Sequence, residues 1–152
     1  MQRWLLYMDC CCFNRPYDDL SEAKVRLESE SIMTIIDLCE QHDFTICGSD
    51  VLIDEFNRTV DKVKLEKVLA LYSSTISETI ELYDEIIDRA SDLIQCGIKP
   101  FDALHVASAE YAKVDVFLTV DNKLLNAMKR AKVSVLTKNP AAWLLEVLYN
   151  EQ

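Results

Sequence analysis

Glycine and proline are nearly missing from this chain of 152 residues, with only Gly48 and Gly97, and Pro16, Pro100 and Pro140. Long flexible linkers and a sandwich of many short strands both depend on those residues, so their scarcity points to a helix-rich domain. Also lacking is any apolar run near the ~20 residues needed to cross a bilayer, and Arg3 followed by a six-residue run ending at Asp9 is no signal peptide. The expectation is a cytoplasmic protein with no membrane association. Basic residues fall short as well: the net charge is −10, with residues 1–96 carrying 9 basic and 20 acidic groups and residues 97–152 carrying 7 and 6. Phosphate binding usually rests on basic patches, so a nucleic-acid partner here requires a local patch or bound cations that reverse the sign of the site. Six cysteines are present, but Cys10-Cys11-Cys12 lacks Cys-x-x-Cys spacing and Cys39, Cys47 and Cys96 lie among apolar neighbours. Free thiols without structural zinc are the expectation.

Half the residues are apolar, enough for the core of one domain spanning residues 1–152. Residues 3–8 read as a strand buried on both faces, because a continuous apolar run stops at polar turn residues. Asn14-Arg15-Pro16 reads as a loop, and Ser21 to His42 as a helix with Ala23, Leu27, Ile32, Ile35, Ile36 and Leu38 facing inward. A short strand at Phe44–Cys47 leads to Ser49, a plausible N-cap for a helix that turns Val51, Leu52 and Phe56 inward and carries Glu55. An amphipathic segment covers Asp61–Tyr72, and Ser73–Ser77 fits either a short strand or a connector. Ile76, Ile80, Tyr83, Ile87, Ala90 and Ile94 recur at spacings of four and three, the mark of one long helix closed by Gly97. Pro100 then suits the first turn of a helix through Ala109. A strand at Val116–Val120, a helix at Asn122–Arg130, a strand at Val133–Leu136 and a helix at Ala141–Tyr149 complete the chain.

Strands alternating with helices in this way predict a parallel sheet covered on both faces. Ligands bind such sheets beyond the carboxyl ends of the strands, where Asp9 and Asp121 both stand; if their strands are neighbours, both acids share one rim. With Glu55 and Asp102 they form a candidate carboxylate cluster. Two carboxylates about 4 Å apart at an effective dielectric near 20 repel by about 4 kcal/mol, a conflict that a hard divalent cation removes. Taken singly, each acid is more simply a surface carboxylate or a helix N-cap, as Asp121 is before Asn122. The four at successive element ends carry the argument together.

Leu6-Tyr7-Met8-Asp9, Ser49 six residues before Glu55, Gly97 through Ala109, and Phe117-Leu118-Thr119-Val120-Asp121 resemble the successive motifs of PIN domains, especially the VapC-like toxins. The resemblance spans nearly the whole chain, and Asn14 through Asp19 resembles a loop found in a subset of these proteins. It implies a three-layer α/β/α sandwich with a central, mostly parallel sheet, and a metal-dependent ribonuclease whose catalytic and metal-binding acids are Asp9, Glu55, Asp102 and Asp121. Mg²⁺ or Mn²⁺ is the implied cofactor, RNA the substrate, a homodimer the usual assembly, and an antitoxin protein the partner of a toxin. Thr119 matches a family hydroxyl near the site, which the resemblance makes a substrate-binding residue that helps orient a ligand or water. Many members place a second acid after the last motif aspartate, where this chain has Asn122. Arg15 and Lys123, close in sequence to two of the acids, are candidates for holding the scissile phosphate, against the simpler reading of solvated charges. His105 shares a helix face with Asp102, but its apolar neighbours favour a packed or hydrogen-bonded core histidine, so it stands outside the expected catalytic set.

Two other readings use the same features. A catalytically degenerate PIN-like binding or scaffold module accommodates Asn122 and the acidic surface. A receiver-like signalling domain also pairs a parallel sheet with an acidic Mg²⁺ pocket, but it needs an acidic pair after the first strand, where Asp9 is followed by three cysteines. Phosphatases that begin Asp-x-Asp fit less well still, since Cys11 stands two residues after Asp9.

Overall fold

The computed structural model describes residues 4–39, 41 and 44–150. Its centre is β1 (Trp4–Met8), a strand whose last three residues are fully buried. Parallel partners flank it, β2 (Phe44–Ser49) on one side and β4 (Val116–Leu118) on the other. The edge strands β3 (Glu78–Ile80) and β5 (Leu136–Lys138) complete a five-stranded, all-parallel sheet of order β3-β2-β1-β4-β5. The strand order reverses direction at β1, so a crevice opens beyond the carboxyl ends of β1 and β4, with Met8 in register with Leu118.

Helices cover the sheet on both faces in an α/β/α sandwich: α1 (Cys10–Asn14), α2 (Ala23–Leu38), α3 (Asp50–Phe56), α4 (Lys62–Thr75), α5 (Asp84–Gln95), α6 (Pro100–Ala112), α7 (Asn122–Ala131) and α8 (Pro140–Asn150). Several boundaries follow from local chemistry. The Ser49 hydroxyl accepts from Leu52 N–H and starts α3, Asp61 does the same for α4, and Pro100 occupies the first turn of α6. Gly97, at φ +99°, provides the left-handed turn that lets α5 fold back onto α6. No helix among the described residues is long and apolar enough to cross a membrane. Cys10, Cys11, Cys12, Cys47 and Cys96 carry free thiols.

Five local expectations are corrected. The long helix expected from Ile76 to Ile94 does not form: Ile76 ends α4, Ile80 lies in β3, and the helix starts only at Asp84. Pairing of Glu78–Ile80 with Cys47–Ser49 takes up backbone groups that a helix would have used, and Tyr83 in an extended conformation precedes the acidic first turn of α5. Residues 73–75 accordingly belong to α4, and the strand lies beyond Ser77. In α2, Ala23 and Leu27 face solvent while Glu28, Ser29, Ser31, Ile32 and Ile35 are buried. An ion pair between Glu28 and Arg15 explains this rotation of the face. The expected end of α2 at His42 lies outside the described residues, as does Arg3 at the start of the first strand.

The segment Asn14–Pro16 is helical rather than a loop, with α1 running into a 3-10 turn at Arg15–Tyr17. Its guanidinium lies 3.0 Å from both Asp18 Oδ2 and Glu28 Oε1. Lys64 reaches Asp18 at 2.9 Å, and Asn139 Nδ2 donates to Glu28 Oε2 at 2.7 Å, so one charge network ties the chain after α1 to α2, α4 and the start of α8. Finally, β5 begins at Leu136 instead of Val133, because Ser134 N–H and Oγ–H both donate to Glu110 Oε2 before the ladder starts.

Candidate metal centre

Each of the four acids reaches the rim from a different element. Asp9 directly follows β1, is 3 % exposed, and caps α1 by accepting from Cys12 N–H at 3.3 Å. Asp121 follows β4 and caps α7, accepting from Lys123 N–H at 2.9 Å and Leu124 N–H at 3.2 Å. Both of these bonds fall on Oδ1, so Oδ2 takes no part in the cap. Capping and ligand binding are therefore compatible in one side chain. Asp102 sits in the first turn of α6, and Glu55 near the end of α3.

Their charges reach one another. Burial first and then the charge of Asp9 raise the Asp102 carboxyl to about 6 against the opposing influence of His105, with smaller pushes in the same direction from Glu55 and Asp121. Burial also raises Asp9, while hydrogen bonds from Cys11, Thr119 and Cys12 N–H pull it down. Among the described residues no lysine or arginine forms an ion pair with any of the four; the single ion-pair partner is His105, on Glu55. A set of hard oxygen donors with negative charge unbalanced by the protein fits a divalent cation such as Mg²⁺ or Mn²⁺.

Behind Glu55 runs a buried hydrogen-bond chain. His105 Nε2 is 2.6 Å from Glu55 Oε1, His105 Nδ1 is 2.6 Å from Tyr7 Oη, and Tyr7 Oη is 2.8 Å from Ser49 Oγ. An ionised carboxylate can only accept, so Nε2 carries a proton toward Glu55; with a neutral imidazole, Nδ1 then accepts from Tyr7 O–H. Tyr7 Oη in turn accepts from Ser49 O–H, whose oxygen accepts from Leu52 N–H at 3.0 Å. Every member is satisfied, as burial requires. Ser49 N–H donates to Tyr72 Oη at 3.0 Å, and Gly48 leaves room for that ring: a Cβ there would lie 2.7 Å from Ile76 Cδ1 and well inside contact with Tyr72.

Thr119 is fully buried and accepts from Asp121 N–H at 3.1 Å, while Cys11 Sγ lies 3.3 Å from its Oγ1. Cys11 S–H also donates to Asp9 Oδ1 at 2.9 Å. Asp9, Cys11 and Cys12 are the one set of three candidate ligand atoms that lie within 4.8 Å of one another among the described residues. Among the described residues no three of the four acids bring their carboxylate oxygens all within 4.8 Å of one another. Of the two expected phosphate contacts, Lys123 is exposed beside Asp121, whereas the Arg15 charge is met by Asp18 and Glu28.

Sequence reasoning passed over Cys11, Tyr7 and Arg58. Cys11 stands two residues after the motif aspartate, where the turn into α1 aims it back at Asp9. Tyr7 stands two before it, on the strand that carries it. Arg58 lies over the Phe101 ring at 5.0 Å, next to Asp102 in sequence, and is largely exposed. His105 is the buried, hydrogen-bonded histidine expected, and one of its bonds goes to a cluster acid.

Comparison with known proteins agrees with this fold. No curated protein matches the chain. Among solved structures, a chain of VapBC2 from Rickettsia felis, crystallised bound to a DNA fragment from their promoter, superposes with a TM-score of 0.61 at 14% identity, covering 89% of this chain and 98% of that one. That likeness is one of fold. The PIN domain family model matches residues 18–130, a span that includes Glu55, Asp102 and Asp121 and begins after Asp9. The chain belongs to the PIN domain family.

Proposed function

We propose that this protein is a metal-dependent endoribonuclease that hydrolyses RNA phosphodiester bonds, acting as the toxin of a VapBC-like toxin–antitoxin pair. The observation that carries the reading is a set of four carboxylates on four elements, Asp9 and Asp121 following β1 and β4 and the charges of Asp9, Glu55 and Asp121 all acting on Asp102, with no lysine or arginine to balance them among the described residues. PIN domains are a nuclease family, and the solved relative of similar fold comes from a VapBC complex. On this reading residues 1–152 form one domain, which works in the cytoplasm as a homodimer alongside an antitoxin protein.

Asp9 and Asp102 would hold Mg²⁺ or Mn²⁺ directly, and Asp121 and Glu55 would complete the set directly or through water. Such a cation supplies Lewis-acid polarisation of the phosphate and a lowered pKa for water. The chain's own residues prepare that chemistry. His105 engages Glu55 Oε1, and the second oxygen would then be left to orient an attacking water. Thr119 ties the backbone of Asp121 to the Asp9 side of the site and keeps the two strand ends in register. Lys123, exposed beside Asp121, would hold a flanking phosphate, with Arg58 a second contact once its exposed pair with Asp54 opens. Arg15 we assign to the ion network that anchors the chain after Asp9, since its charge is already met.

The test is cleavage of a mixed RNA pool by the native chain and by Asp9→Asn, with Mg²⁺, Mn²⁺ or EDTA present. Metal-dependent cleavage that Asp9→Asn abolishes, in a variant with a native circular dichroism spectrum, supports the reading. Equal activity in both chains rejects it. One observation favours a second reading: a Cys11 thiol on Asp9, together with Asn122, suits a binding module without catalysis, which predicts RNA binding and no cleavage.

A further inference from the structure

Asn122 to Leu145 contains Lys123, Lys129, Arg130, Lys132 and Lys138 and no acidic residue, so all 26 acids of the chain lie outside this stretch. The structure turns it into one surface. Helix α7 buries Leu124, Ala127 and Met128 and exposes Lys123, Asn126, Lys129 and Arg130, followed by exposed Lys132. None of these four cations has an ion-pair partner among the described residues; Lys138 alone is paired, with Glu146 at 3.1 Å.

The helix starts at Asp121 on the acidic rim, and its 10 residues carry the strip about 15 Å away from it. At the far end lies a depression of about 300 Å³ with Lys129, Lys132 and Lys138 on its rim and Val133, Val135 and Leu136 on its walls. Helix-dipole stabilisation accounts for Lys129 and Arg130 in the last turn. It does not account for Lys123 in the first turn, where a positive side chain opposes the dipole, nor for the exclusion of every acid from an otherwise acidic chain.

We propose that the outer face of α7 is the track along which single-stranded RNA leaves the acidic site, its phosphates on Lys123, Lys129, Arg130 and Lys132 and an unstacked base in the depression beside β5. This deepens the ribonuclease reading and rests on it. Charge complementarity picks the occupant: a polyanion is repelled over most of this protein and attracted here. Flexible single strands follow such grooves through backbone charge and can offer a base to an apolar pocket.

The test is anisotropy of a fluorescein-labelled unstructured RNA oligonucleotide with Mg²⁺, on the Asp9→Asn background so that binding is read apart from cleavage. Lys129→Gln/Arg130→Gln/Lys132→Asn is compared with Lys62→Gln/Lys67→Gln/Lys113→Gln, which changes net charge equally on other elements; asparagine tolerates the left-handed backbone of Lys132, at φ +54°. The α7 variant should bind about tenfold more weakly or worse, with a log–log salt slope shallower by about 2, while the control stays near the parent. Lys129→Arg/Lys132→Arg should bind as the parent does and melt with it. The track is overturned if the α7 variant binds like the parent, if the control loses as much, or if the parent binds anionic lipid vesicles but not RNA. The nuclease reading is judged separately, by cleavage with the native chain.

Discussion

His105 Nε2 stands 2.6 Å from Glu55 Oε1, joining a fully buried ring on α6 to a partly exposed carboxylate on α3. The bond links two elements that also pack on each other. Because Tyr7 and Ser49 supply the protons behind the ring, the carboxylate is oriented by a chain that begins at a helix N-cap.

That chain makes His105 a positioning residue. His105→Ala should lower RNA cleavage by about 10–100-fold, as loss of a partner behind a metal-ligating side chain commonly does. It should also cost about 1–3 kcal/mol of stability through the unpaired Tyr7 hydroxyl. Tyr7→Phe removes only the outer link and should cost less on both counts. Steady-state cleavage with urea denaturation of the same preparations checks both; wild-type kinetics in His105→Ala would remove His105 from the mechanism.

Asp102 makes the metal-free protein pH-sensitive. Its folded carboxyl keeps a proton up to about 6, whereas the unfolded chain releases it near 4, so its contribution to stability is fully present below about pH 4 and is lost as pH rises through 6. Allowing for solvent screening of a partly exposed group, the loss is on the order of 1–2 kcal/mol. Asp9, raised by burial, adds to it in the same direction. Relative to the native chain in EDTA, Asp102→Asn should melt higher at pH 7 and alike at pH 4. Parallel melting curves across that range would contradict the shared charge.

Divalent cation should reverse this penalty. At a hundred times its dissociation constant, Mn²⁺ should stabilise the native chain by about 2.7 kcal/mol and raise the melting temperature by about 5–10 °C. Asp9→Asn should show little of either. Scanning calorimetry with and without Mn²⁺ measures it, and an equal rise in both chains would place the cation elsewhere.

Glu28, 2% exposed, is predicted to be the costliest surface-distant carboxylate to neutralise. Arg15 Nη2 approaches it at 3.0 Å as an ion contact, off the hydrogen-bonding direction, and Asn139 supplies the aligned bond. Glu28→Ala should cost about 3 kcal/mol, since it strands a partly buried guanidinium. Urea midpoints decide it, and a change below about 0.5 kcal/mol would show that Asp18 suffices for Arg15.

Local chemistry in the chain is enough to mark where its elements turn. The apolar run before Asp9, the Ser49 and Asp121 caps, Gly97 and Pro100 each act over one helical turn or one strand, so α3, α6, α7, β1 and their flanking acids are legible without a fold. The parallel sheet follows from the alternation of elements, and Asp9 and Asp121 stand at strand ends by sequence alone.

Tertiary structure decides what local spacing cannot. Pairing with β2 converts Glu78–Ile80 from apparent helix to edge strand, and an ion pair from Arg15 turns Glu28 inward in place of Leu27. Glu55 meets His105 across 50 residues, and Cys11 meets Thr119 across 108. Such contacts arise because burial forces each polar group to find a partner wherever the packed layers bring one, and neither composition nor periodicity encodes that distance.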